Sequence, residues 1–88
     1  MQFMIVWNTS CDNRKKAFER NLATGARPPE GIKMINRWHV ASQGKGFVLA
    51  ETDDPVLMAK WAMEWCDLMD FESYLVIDES VYAKLMQP

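Results

Sequence analysis

Lys33-Met34-Ile35-Asn36-Arg37-Trp38-His39-Val40 is the stretch on which the fold reading turns. It has the character of a strand and holds the chain's single histidine, beside an arginine and a tryptophan. Successive side chains of a strand alternate, so Arg37 and His39 share one face and Trp38 takes the other. One face is then polar enough to be a site, and the other can be core.

Working outward, Ser42-Gln43-Gly44-Lys45-Gly46 is a turn with two glycines, and residues 47–52 read as the next strand. The two strands form a hairpin. Asp54 is the expected N-cap of a helix and Pro55 its first residue, where a missing N–H costs nothing. Leu57, Met58, Trp61, Trp65, Leu68 and Met69 follow at helical spacing as a wide apolar stripe. Residues 70–77 read as a strand. Asp78-Glu79-Ser80 then caps a short terminal helix using Val81, Tyr82 and Leu85.

Upstream, Arg27-Pro28-Pro29-Glu30-Gly31 is an extended surface loop, because each proline lacks a donor. Gly25 ends a helix that begins at the turn 9–13, where Ser10 or Asp12 accepts from its free amides. Phe18 and Leu22, flanked by Ala17, give that helix a narrow apolar stripe. Residues 2–8 form a strand that is apolar on both faces and hence central.

The order is β-α-β-β-α-β, the ferredoxin-like arrangement. The expected fold is α+β: one domain over residues 1–88, a four-stranded antiparallel sheet with two helices on one face and a short C-terminal helix. The other sheet face is left open. Bare apolar faces mark interfaces, so a second copy is the expected cover, giving a homodimer with the two sheets facing each other.

Composition bounds the function. The chain has 88 residues, 49% of them apolar, with four Trp and seven Met. A domain this small hides only ~60–65% of its unfolded surface, so this much apolar matter also favours a partner. Net charge is −2 and the pI is 5.3, which argues against nucleic acid. Arg14-Lys15-Lys16 reads as a solvated helix face. Lys45-Gly46-Phe47 copies the opening of an RNA-recognition signature, then fails at Val48, Leu49, Ala50 and Thr52. Cys11 and Cys66 have no metal or redox spacing and suit reduced thiols, hence a cytoplasmic setting. The first residues read as a strand rather than a signal peptide, and no window suits a membrane span. One His without convergent Cys falls short of a metal site. No metal or cofactor is expected.

Arg37-Trp38-His39, the glycine turn, Glu51-Thr52-Asp53-Asp54-Pro55, Trp61 with Trp65, and Asp67-Leu68-Met69-Asp70-Phe71-Glu72 occur together in this order, with Pro28-Pro29-Glu30-Gly31 before them. This set resembles domain-of-unknown-function family 3303, a bacterial family. That family in turn resembles the dimeric α/β-barrel group, which includes small monooxygenases, isomerases and stress-responsive proteins. The resemblance implies a shared fold and a dimer. It brings no catalytic residue with it.

The candidate site residues follow from chemistry. An imidazole is suited to acid–base work near neutral pH, so His39 is a candidate for that role or for hydrogen bonding to a ligand. Arg37, on the same face, suits a carboxylate or other anion. The bland alternative is a strand histidine bonded to Glu51 or Glu72, holding register. Glu51 and Glu72 join His39 in a polar constellation on the open face, or sit on the rim. Trp38 and Tyr74 are candidate pocket walls. Trp61 and Trp65 are either walls or plain core. Trp7 reads as structural. Asp67 and Asp70 cap or flank the helix end.

Two functions are expected. In the first, a homodimeric domain binds a small, partly apolar or anionic molecule between sheet and partner, with Arg37 and His39 orienting it. Any chemistry would be cofactor-free proton transfer or oxygenation, by fold analogy alone. The alternative is a structural or regulatory dimerisation module without ligand or catalysis.

Overall fold

The computed structural model describes residues 1–87. Its elements are β1 (Gln2–Thr9), α1 (Cys11–Thr24), β2 (Lys33–His39), β3 (Lys45–Glu51), α2 (Pro55–Trp65), β4 (Met69–Val76) and α3 (Glu79–Tyr82), followed by a 3-10 turn at Ala83–Met86. The sheet order is β2-β3-β1-β4, with every neighbouring pair antiparallel. This is the ferredoxin-like topology, and the doubly apolar β1 is central as its composition requires.

Register separates the two sheet faces, since residues paired across a ladder share a face. Phe3, Ile5, Trp7 and Thr9 of β1 are buried on the side of the helices. Their partners Ala50, Val48 and Gly46 on β3 are buried with them. Met58, Trp61 and Trp65 of α2 close this core, together with Ile32 and Ala26 from the loop before β2. The reverse face carries Met4, Val6, Phe47 and Leu49, half-buried, and Trp38 and Tyr74, exposed.

Local chemistry sets the ends of the elements. Asp54 accepts from the Val56 amide at 3.0 Å and Pro55 follows, so α2 starts where its cap dictates. Gly25 closes α1 at φ 73°, a left-handed conformation that costs glycine nothing. Asp78 accepts from the Val81 amide and starts α3. At the start of α1 Ser10 holds the N-cap position without a side-chain cap bond; its backbone carbonyl accepts from Asn13 and Arg14. Cys11 and Cys66 are free and exposed. Among the described residues, no helix is long and apolar enough to cross a membrane.

The inner face of α1 departs from the expected stripe. Phe18 is 65% exposed and Leu22 72%, while Ala17 alone of that helix is buried. The face that meets α2 is polar: Asn13 Nδ2 donates to the Leu68 carbonyl, and Arg20 Nη1 to the Glu64 carbonyl. These are carbonyls at and just beyond the end of α2, which lack intrahelical partners and need donors. Leu22 faces solvent, and Phe18, although largely exposed, borders the space between α1 and the sheet. Arg20 also grips Asp67 with two bonds, 2.8 and 2.6 Å, and lies 5.3 Å from the Trp65 ring centre. Asp67 is therefore an ion-pair partner beyond α2, not a cap.

Candidate functional site

A cavity of about 280 Å³, open to solvent on one side, lies between the sheet and the two long helices. Ile5, Trp7, Val48 and Phe71 form its floor on the sheet. Ala17 from α1, with Trp61 and Trp65 from α2, forms its roof. Both indoles of α2 thus pack in the core and line the cavity, combining the two roles weighed for them.

The floor depends on a glycine. Gly46 lies opposite Trp7 in the β1–β3 ladder, and a Cβ there would fall inside the Trp7 indole and 2.6 Å from the Trp38 carbonyl oxygen. With no side chain at 46, the Trp7 ring lies across the strand and reaches His39. The two rings meet edge to face, 5.5 Å apart at 76°. Arg14 packs against the neighbouring Gly44 in the same way, its Nε 2.6 Å from where a Cβ would be. Gly44 in turn accepts from the Thr9 amide through its carbonyl.

A bulge decides the faces of β2. Met34 pairs with Ala50 and Asn36 with Leu49, leaving Ile35 as the extra residue. From there Arg37 pairs with Val48 and His39 with Gly46, both on the helix side, while Trp38 pairs with Phe47 on the open side. Arg37 is half-buried, and its Nη1 donates to the Ala26 carbonyl at 3.1 Å. Ala26 is left-handed, at φ 49°, directly after the Gly25 cap. A guanidinium has five donors, so this bond leaves others for a ligand. His39 stands exposed at the cavity edge.

The cavity's charged lining is of one sign. Arg14, Arg37 and Lys45 contribute to it, His39 adds a polar edge, and among the described residues no Asp or Glu lines it. This holds in a chain with twelve acidic residues against ten basic ones. An apolar cleft with a few convergent cationic groups suits a small anion with an apolar body.

The six sequence-derived candidates divide between the two faces. Arg37 and His39 line the cavity, whereas Trp38, Glu51, Glu72 and Tyr74 lie on the open face. The expected constellation of His39 with Glu51 and Glu72 does not form, because the sheet itself stands between them. The bland alternative fails for the same reason: His39 is held by Trp7, not by either carboxylate. Glu72 instead accepts from the Tyr74 hydroxyl, a bond that raises the Tyr74 pKa. A space between sheet and partner would therefore be lined by Trp38 and Tyr74 but not by Arg37 or His39.

Sequence reasoning passed over three contributors. Trp7 has the parity of Phe3 and Ile5, and the signal that it does more lay in the glycine across the ladder. Arg14 sits three residues before the buried Ala17, on the inward side of α1, although Lys15 and Lys16 do form the solvated face expected of all three. Lys45 stood out only as part of the failed RNA signature.

No curated protein matches the chain in sequence. Among solved structures, the chain is similar to a crystal structure from Deinococcus radiodurans, provisionally described as an antibiotic biosynthesis monooxygenase. The likeness covers 89% of this chain and 94% of that one, with 10% identity and a TM-score of 0.49. The model of a family described as a domain of unknown function matches residues 1–88, and the chain accordingly belongs to that family, DUF3303.

Proposed function

We propose that this chain is a homodimeric, cytoplasmic domain that binds a small aromatic or otherwise apolar anion in the cavity between its sheet and its helices. The observation that carries the reading is the all-basic charged lining of an indole-walled cavity. Its size, about 280 Å³, lies near the lower end of the roughly 300–1,000 Å³ typical of small-molecule sites, which favours a one- or two-ring acid. Arg37 and Arg14 would hold the acid group, His39 would add a hydrogen bond, and Trp7, Trp61 and Trp65 would enclose the body. A second copy is supported by the open face, where Met4, Val6, Phe47 and Leu49 are only half-buried and Trp38 and Tyr74 lie bare.

Three tryptophans line the cavity, so binding is read directly from their fluorescence. Titration with 2-naphthoate should give a saturable change. Arg14→Gln should weaken it about tenfold, as loss of a charged hydrogen bond does. Ser73→Phe, which fills the cavity from β4, should abolish it. The neutral 2-naphthamide should bind more weakly than the acid. Equal responses from acid and amide, unchanged by either substitution, would end the reading.

The ligand-free dimerisation module has one observation in its favour: Arg37 and His39 both already serve the protein, on Ala26 and Trp7. On that reading no aromatic acid saturates the fluorescence, and His39→Ala lowers stability by about 2 kcal/mol or more.

A further inference from the structure

We infer that residues 77–87 form an exchanged arm, which leaves its own chain and packs against a second copy beside that copy's open sheet face. The inference rests on the homodimer proposed above and adds the segment that would secure it.

The arm does not fold onto its own domain. Every residue from 77 to 87 is exposed. α3 and the 3-10 turn pack on one another and make no substantial contact with the sheet or the long helices. Yet the segment is apolar along its length: Ile77, Val81, Tyr82, Leu85 and Met86 are all exposed, the last two at 73% and 77%. The molecule extends 52 Å along its long axis against 29 and 17 Å across. Its radius of gyration is 14.7 Å, where a compact chain of this length is expected at about 12 Å.

A short helix with no packed face has little reason to form, since isolated helices below ~12–15 residues are marginal in water. Asp78 nevertheless caps it through the Val81 amide and the Ser80 hydroxyl. Its eight helical residues span about 12–16 Å, the width of about three strands, long enough to lie alongside a neighbouring sheet next to its open face.

Area selects the occupant. At these exposures the arm offers on the order of 500 Å² and the open sheet face on the order of 400 Å² of apolar surface. Two open faces alone would bury about 800 Å², the size of a crystal contact, whereas faces and arms together would bury roughly 1,800 Å², within the ~1,200–2,000 Å² of a stable complex. The two surfaces are also continuous, because Tyr74 and Val76 of β4 run directly into Ile77. One two-fold axis lets each copy present an arm and receive one, so both unpaired surfaces are covered by a single kind of contact.

The test uses the full chain, a form ending at Ile77, and Leu85→Asp in the full chain. Each is followed by sedimentation equilibrium from low micromolar to hundreds of micromolar, with circular dichroism as a check of fold. The arm predicts a dimeric parent, and a dissociation constant at least tenfold weaker in both altered forms while the spectrum of the sheet domain persists. A dimeric parent with the same constant in Leu85→Asp overturns the arm and leaves a sheet-face dimer standing. A parent that is monomeric at hundreds of micromolar overturns dimer and arm together. Isotope-filtered nuclear Overhauser contacts in a mixed labelled sample supply a second reading: Leu85 methyl contacts to the other chain support the exchange, and contacts to its own chain overturn it. None of these outcomes bears on the cavity, which the naphthoate titration reads separately.

Discussion

Gly46 shows how one missing side chain shapes the cavity. A side chain at this position of β3 would meet the Trp38 carbonyl oxygen of the adjacent strand as well as the Trp7 ring. The Trp7 ring occupies the space that side chain would need. Gly46→Ala should therefore displace the indole and destabilise the domain by about 1–3 kcal/mol, the usual cost of overpacking. Chemical denaturation measures the loss. A shift of the tryptophan emission toward that of exposed indole should accompany it. A neutral substitution would mean that Trp7 moves freely, and the cavity floor would lose its definition. Arg37 illustrates a second residue-level fact: one side chain can serve structure and site at once. It holds the Ala26 carbonyl in the left-handed turn after α1 and still lines the cavity.

Among the contacts between elements, the one joining α1 to the end of α2 depends on pH. The hydrogen bonds from Arg20 hold the Asp67 carboxyl below the usual carboxylate range. A group whose pKa falls on folding favours the folded state above its unfolded pKa, near 3.9, and that contribution is lost as pH drops through the folded value. The helix clamp is thus intact at neutral pH and fails in acid. Asp67→Asn should flatten the acid limb of the stability curve while leaving its slope above the carboxylate range unchanged. Thermal melts at a series of pH values measure this. An unaltered acid limb would show that solvent screens the pair completely. The same contact explains why the apolar spacing of Phe18 and Leu22 misled. Helical periodicity records which residues could share a face; the residues of α1 that reach the end of α2 are Asn13 and Arg20, while Phe18 only borders the cavity.

For the whole molecule, the unsettled account is surface. One sheet face and one terminal arm present apolar side chains to water, and the proposed second copy would cover both. A folded dimer in equilibrium with unfolded monomers becomes more stable as concentration rises. The melting temperature of the full chain should accordingly climb between low and high micromolar protein, and the form ending at Ile77 should climb less at low concentration. A melting temperature independent of concentration would count against dimerisation in that range.

The order of strands and helices was legible along the chain, because each boundary has a local cause: Asp54 and Pro55 begin α2, Gly25 closes α1, and Asp78 begins α3. The central place of β1 followed from apolar residues on both its faces. The alternation of Arg37 and His39 against Trp38 was legible too, since it is a property of any strand. Which of those two faces looks toward the helices was not. That choice rests on the bulge at Ile35 and on pairing with β3, which connect residues distant in sequence. It placed Arg37 and His39 at the cavity and Trp38 on the far side of the sheet, where pairing with β1 separately puts Glu51, Glu72 and Tyr74. Local propensity and capping act within a few residues, so the sequence by itself determined the elements and their order. The cavity and its basic lining arise from contacts across the fold, and the exposed arm from the lack of them, so only the tertiary structure decided these features.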